Sequence, residues 1–186
     1  MTDMSDRFAE ASPRLMARIT GVVYLLYFLT AIAAEVWVGR GRPLAYEVVT
    51  LAAHLLYVAL TLFLYVMFKR VNAKLSLLAA LFSLAGCVVE VLGIFHVLSP
   101  GVGSLAFFGP YCLLIGYLVF RSSFLPRLLG VLLMLAGLGW LLFLTPLASH
   151  VANGLKVLGF VAELSFCLWL IVMGVDATKW QERTDA

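Results

Sequence analysis

Charge is scarce in this chain. Of 186 residues only 12% are Asp, Glu, Lys or Arg while 63% are hydrophobic, against roughly 25% and 45–50% in soluble domains. A soluble fold is therefore excluded. Cysteine is sparse too, and Cys87, Cys112 and Cys167 all fall inside apolar runs with no close pair. That argues against a disulfide framework or a cysteine-rich zinc site and for a packing role. No His-Glu-x-x-His, paired-His or Glu-x-x-His spacing occurs, so nothing specifies a metal and no cofactor is legible. No nucleophile motif occurs either. Ser122 and Ser123 stand in a basic turn without a histidine on that side, so no catalytic residue is assigned. The net charge of +3 comes from basic residues scattered among short loops. They form no basic helix or aromatic-interleaved patch, and nucleic acid is not an expected partner.

What the chain has is long apolar runs separated by polar turns. Phe107 to Leu142 shows the pattern best, with two such runs joined by Arg-Ser-Ser-Phe-Leu-Pro-Arg at 121–127. Each run is long enough to cross a bilayer core of roughly 30 Å at about 1.5 Å per helical residue. Only helices or closed barrels satisfy every backbone group in lipid, so the expected fold is all-α, a polytopic six-helix transmembrane bundle. The helices are read as Leu15–Val38, Tyr46–Phe68, Leu75–Leu98, Ser104–Phe120, Pro126–Leu147 and Leu155–Val175. Gly-Arg-Gly-Arg-Pro at 39–43, the polar run 69–74, Ser-Pro-Gly-Val-Gly at 99–103 and the stretch 148–154 serve as turns. The domains follow: a polar arm 1–14, a transmembrane domain 15–175 and a polar tail 176–186. A faint echo relates Phe68-Lys69 with Leu84-Ala85-Gly86 to Phe120-Arg121 with Leu135-Ala136-Gly137.

Lysine and arginine set the expected orientation. Arg7, Arg14, Arg18, Lys69, Arg70, Lys74, Arg121, Arg127, Lys179 and Arg183 fall on one side, and Arg40, Arg42 and Lys156 on the other. Both termini are thus expected in the cytoplasm, with the chain multi-pass in a bacterial cytoplasmic (inner) membrane. The small residues Ala31-Ile32-Ala33 suggest a leader cleavage site. The acidic residues before them and an apolar run continuing to Val38 favour an uncleaved anchor. Trp37, Tyr46 and Trp180 suit an interfacial belt.

Glu35, Glu47, Glu90 and Glu163 lie in or at the ends of apolar runs, where ionisable groups are costly and mark candidate sites. On this topology all four, with His54, His96 and His150, occupy the outer half. Glu35, His54, Glu90, His96 and Glu163 are the candidate ligand-binding residues. Helical spacing aligns Glu90 with Ala79, Ser83 and Gly86, and Glu163 with Gly159, Phe166 and Leu170. It also puts His54 with Glu47, Thr61 and Tyr65, and Glu35 with Tyr24, Phe28 and Ala31. Counted from the expected helix ends, Glu90 and Glu163 sit about 12 Å deep and His54 about 10 Å. One buried layer of His54, Glu90 and Glu163 is expected. The leading function is binding or transport through an outward-facing polar pocket for a small solute, cation or lipid headgroup. The alternatives are a metal-dependent intramembrane enzyme and a structural or partner subunit. Expected partners are membrane lipid and a small solute or cation, with room for a homo-oligomer.

The motifs Phe107-Phe108-Gly109, Gly116-Tyr117-Leu118, Arg121-Ser122, Leu125-Pro126-Arg127 and Leu129-Gly130-Val131-Leu132 resemble the core of a known bacterial membrane family. It is the one catalogued as domain of unknown function 4386. The run from Arg18 to Leu25, Glu163-Leu164 and the run from Leu168 to Val175 are similar to its flanking signatures. The resemblance implies a polytopic inner-membrane protein, puts Glu163 on a family motif position and supplies no catalytic residue.

Overall fold

The computed structural model describes residues 13–39, 41–95, 97 and 103–182. These residues are helical throughout, with no strand among them. Helix α1 spans Pro13–Ile32 and runs on as a π-helical turn, Ala33–Val38; α2 spans Pro43–Ile94, α3 Leu105–Arg121, α4 Arg127–Leu142, α5 Ala148–Val172 and α6 Ala177–Glu182. Three stretches, Pro13–Val38, Pro43–Ile94 and His150–Val172, are long and apolar enough to cross a membrane. Helices α3 and α4 are apolar and shorter, at 17 and 16 residues.

Helix α2 is a hairpin in disguise. The polar run 69–74 was expected to be a loop, yet the only residue with non-helical dihedrals inside α2 is Asn72 (φ −159°, ψ 107°). Its Oδ1 accepts the backbone N–H of Leu75 at 3.0 Å and so caps a new helical start. Around this point the two arms, residues 43–71 and 73–94, fold back on one another. The Ser76 hydroxyl donates to the Tyr65 carbonyl at 3.1 Å, and the Thr61 and Ser83 hydroxyls pair at 2.6 Å. Partner numbers that fall on one strand of the pairing as they rise on the other define antiparallel arms.

Two further boundaries differ from expectation. The stretch 148–154 is helix, because the chain turns at 143–147 around Pro146, which cannot continue α4. Asn153 and Gly154 are absorbed into α5. Pro126 is the residue before α4 (φ −63°, ψ 129°) rather than its first.

Helices α3 and α4 form the tightest contact. A Cβ on Gly116 would lie 2.7 Å from the Gly130 carbonyl oxygen, and one on Gly130 2.6 Å from that of Gly116; Gly109 and Gly137 meet the same way two turns further along. Small residues let backbones touch where no hydrophobic drive between helices exists. Helix α1 packs on both α2 and α5, so the bundle closes on itself. Its interior holds Leu60, Leu64, Met67, Phe68, Leu118 and Phe166, while Leu26, Leu55, Leu81, Val88, Leu128 and Val172 face outward. That exposed apolar shell suits lipid as solvent.

The end bearing Asn72, the turn 122–126 and the tail is basic, and the tail folds back onto it. Gly174, at φ 67°, ends α5, and the N–H of Asp176 reaches the Phe124 carbonyl at 3.2 Å. Trp180 then tucks against Phe124 with ring centroids 4.7 Å apart, the Arg70 guanidinium 5.4 Å from its ring. Trp180 is thus a 3%-exposed plug and not a belt residue, whereas Trp37 is 79% exposed as a belt residue should be.

Candidate functional site

At the opposite end the first turns of α2 lay one polar stripe along its inner face: Tyr46, Thr50, Ala53, His54 and Tyr57, at helical spacing. The stripe expected from sequence ran through Glu47, Thr61 and Tyr65 instead. Thr61 is spent on Ser83 deeper in the hairpin. Facing the stripe, α1 changes register. In the π-helical turn the Gly39 N–H bonds the Ala34 carbonyl at 2.9 Å, and the turn brings Ala31, Ala34 and Glu35 to the same space. Such π-turns inside α-helices recur at functional sites. The second arm of α2 contributes Glu90 and α3 contributes Phe108. Together they enclose a cavity of about 220 Å³.

The geometry of its walls is specific. Glu35 stands at the exposed rim and accepts a hydrogen bond from the Tyr46 hydroxyl, which clamps α1 to α2. Glu90, half-buried, accepts one from the Ser104 hydroxyl just before α3. The His54 ring has Nδ1 2.8 Å from the Thr50 carbonyl. A carbonyl only accepts, so Nδ1 carries a proton and, in the neutral ring, Nε2 is the free base. Thr20, Thr30 and Thr61 each donate to the carbonyl four residues back, at 2.7–2.8 Å. Thr50 does not. Its Oγ1 is shielded from solvent and has no hydrogen-bond partner among the described residues. The aromatic wall is Tyr27, Tyr57 and Phe108. Tyr57 lies 4.7 Å from Tyr27 and, edge-on, 5.4 Å from Phe108.

The structure thus brings Glu35, His54 and Glu90 to one cavity. Glu163 is not on its wall. Helix α2 ends at Ile94 and α5 begins at Ala148, so by helical rise Glu90 is only about 6 Å from its helix end and Glu163 about 22 Å. The equal depths expected for them rested on different helix ends. Glu163 accepts the Tyr24 hydroxyl at 2.7 Å. Gly159, one turn before it, makes room for the Trp140 indole. Tyr27, on the cavity wall, is three positions along α1 from Tyr24. His96 lies outside the described residues, and Glu47 and His150 do not line the cavity.

Among the described residues no group of three or more His, Cys, Asp and Glu side chains is close enough to hold a metal ion. Cys87, Cys112 and Cys167 are buried and unpaired. A larger groove, about 400 Å³, opens at the basic end beside Arg14. There Lys179 and Asp176 already pair at 3.4 Å.

Residues 101–174 match the family described as domain of unknown function DUF4386. The matched segment covers α3, α4 and α5, including Glu163 and the glycine contact of the α3–α4 hairpin, and agrees with the resemblance carried by Phe107 to Leu142. The cavity's α1 and α2 walls lie outside the segment. An uncharacterized protein of Archaeoglobus fulgidus is 25% identical over 143 residues, which cover 72% of this chain and 86% of the relative. No solved structure matches.

The tyrosines that build the site had no sequence pattern of their own. One signal was present: Thr50, His54 and Tyr57 at spacings of four and three trace a polar line through an apolar run.

Proposed function

We propose that this is a multi-pass protein of a bacterial cytoplasmic membrane that binds, and carries across or hands on, a small organic cation. The observation that carries the reading is the cavity of about 220 Å³, whose wall holds two carboxylates, Glu35 and Glu90, and none of whose described lining residues is Lys or Arg. Carboxylates attract positive charge, and the faces of Tyr27, Tyr57 and Phe108 add cation–π attraction that an inorganic ion with a tight water shell exploits poorly. The second ring nitrogen of His54 adds hydrogen-bonding capacity.

Sidedness comes from charge. Arg14, Arg18, Lys69, Arg70, Lys74, Arg121, Arg127 and Lys179 belong to the end with the Asn72 junction, the turn 122–126 and the tail. By the positive-inside rule that end is cytoplasmic, and the cavity opens outward. All six apolar rods, α1, both arms of α2, α3, α4 and α5, cross the bilayer in this reading.

The test is thermal unfolding of detergent-solubilised protein with tetramethylammonium chloride against equal sodium chloride. The midpoint is expected to rise with tetramethylammonium in the wild type and not in Glu90→Gln. No rise in the wild type, or an equal rise in Glu90→Gln, contradicts the reading.

A further inference from the structure

Glu163 has no part in the cavity wall, yet it is the carboxylate set furthest from a helix end. Its hydrogen-bond partner is neutral: the Tyr24 hydroxyl of α1 at 2.7 Å. The titratable groups in its electrostatic neighbourhood are Tyr24 and Tyr27 of α1, Tyr57 of α2, and Tyr111 and Cys112 of α3. No Lys, Arg or His is among them. A carboxylate in lipid with a basic partner would be a fixed ion pair. One among hydroxyls can exist in both protonation states, accepting a hydrogen bond when charged and donating when neutral.

Hydroxyls also connect it to the outside. Tyr57 lines the cavity, and its ring crosses that of Tyr111 edge to face with centroids 6.0 Å apart. Tyr111 and Tyr24 both border a void of about 10 Å³ that also touches Cys112, near the least volume that admits one water. Tyr24 then donates to Glu163. Tyr24, Tyr57 and Tyr111 are all at most 5% exposed and stand on three different helices. Burying a hydroxyl costs free energy unless it is bonded, so three of them in file from cavity to carboxylate need a reason beyond apolar packing.

We infer that Glu163 is an internal proton-binding site, loaded and emptied from the outward cavity along Tyr57, Tyr111 and Tyr24. Each hydroxyl gives up its proton on one side as it takes another on the other. The carboxylate gains the proton that the cavity loses, and no group on the route changes its net charge. Three residues separate Tyr24 from Tyr27 on α1, so the site lies about one turn below the cavity floor. Uptake there balances charge when a cation occupies or leaves the cavity above. The proton site itself stands whatever solute the cavity takes.

Infrared spectroscopy of the protein in lipid nanodiscs, titrated in pH and diluted into D₂O, tests this with the proton as probe. A protonated-carboxyl band is expected that fades as pH rises, persists in Glu90→Gln and vanishes in Glu163→Gln. Tyr24→Phe should shift its frequency, which assigns the band even where Glu163→Gln folds poorly. In Tyr111→Phe, which leaves the carboxylate and its Tyr24 partner in place, deuterium exchange of the band should slow by roughly tenfold or more. Absence of the band from the wild type, or its persistence in Glu163→Gln, overturns the site. Exchange as fast in Tyr111→Phe as in the wild type overturns the route.

Discussion

Two glycines of α5 should respond to the same substitution with opposite sign. Gly154 and Gly159 are five residues apart in one helix, and alanine would raise helical propensity at each by about 1 kcal/mol. At Gly154 a new Cβ meets nothing within 4 Å, so Gly154→Ala should stabilise the protein by about 0.5–1 kcal/mol. At Gly159 the Cβ would stand 2.2 Å from Trp140 Cζ2, where ordinary contact begins at 3.4 Å, so the indole must retreat by about 1.2 Å. Overpacking of this kind costs about 1–3 kcal/mol. Set against the propensity gain of about 1 kcal/mol, Gly159→Ala should destabilise by up to about 2 kcal/mol. Denaturant titration in micelles, followed by circular dichroism, measures both variants. Gly159→Ala as stable as Gly154→Ala would refute the placement of Trp140 over Gly159.

The α3–α4 hairpin offers a second substitution. Gly130→Ala should cost about 1–3 kcal/mol because the atoms it meets, Gly116 O and Phe120 N at 2.6 Å, are backbone. Adding Gly116→Ala should cost less than the sum, since the first change has already parted the helices; strict additivity in the same micelle titration would count against the contact. In the tail, Asp176 accepts the N–H groups of Thr178 at 3.1 Å and Lys179 at 3.3 Å. The Lys179 N–H, foremost, holds its carboxyl below the usual carboxylate range. A pKa lower in the folded state contributes stability above the unfolded value, near 4, and loses it as pH falls through the folded value. The seat of Trp180 on Phe124 should therefore be insensitive to pH from neutrality down to about 4 and loosen below it, read as tryptophan fluorescence with Trp180→Phe as reference. Loosening that begins above pH 5 would contradict the cap.

The apolar runs, most of their turns and the placing of Glu35 and Glu90 near one end were legible because each is a local property of composition and spacing, whereas Glu163, expected in the same half, lies past the middle of α5. Lys69 to Lys74 read as a turn, and the chain does fold back within it, at Asn72 alone and with helix on either side. Where the sequence misled, polar residues stood in for a chain break: Asn153 and Gly154 read as a turn, although Pro146 is the residue that prevents α4 from continuing. These shifts moved the helix ends from which depth was counted, and so put Glu90 and Glu163 on one level. Which hydroxyl meets which carboxylate was beyond spacing arguments. Tyr24 and Glu163 are 139 residues apart, and their meeting follows from α1 packing on α5 to close the bundle. Trp180 failed as a belt residue for a similar reason: a tail only six residues past Gly174 can fold back onto the turn at 122–126 once Asp176 ties it to Phe124.

The outward, cation-selecting cavity is tested most directly at Thr50, one of the residues that line it. In a background with Cys87, Cys112 and Cys167 changed to alanine, Thr50→Cys is exposed from outside intact cells to membrane-impermeant thiosulfonates. One carries a trimethylammonium group and the other a sulfonate. The account predicts labelling from outside, faster with the cationic reagent by roughly tenfold or more, with the difference shrinking in Glu90→Gln. Labelling only after the membrane is opened, or as fast with the anionic reagent as with the cationic one, would contradict it.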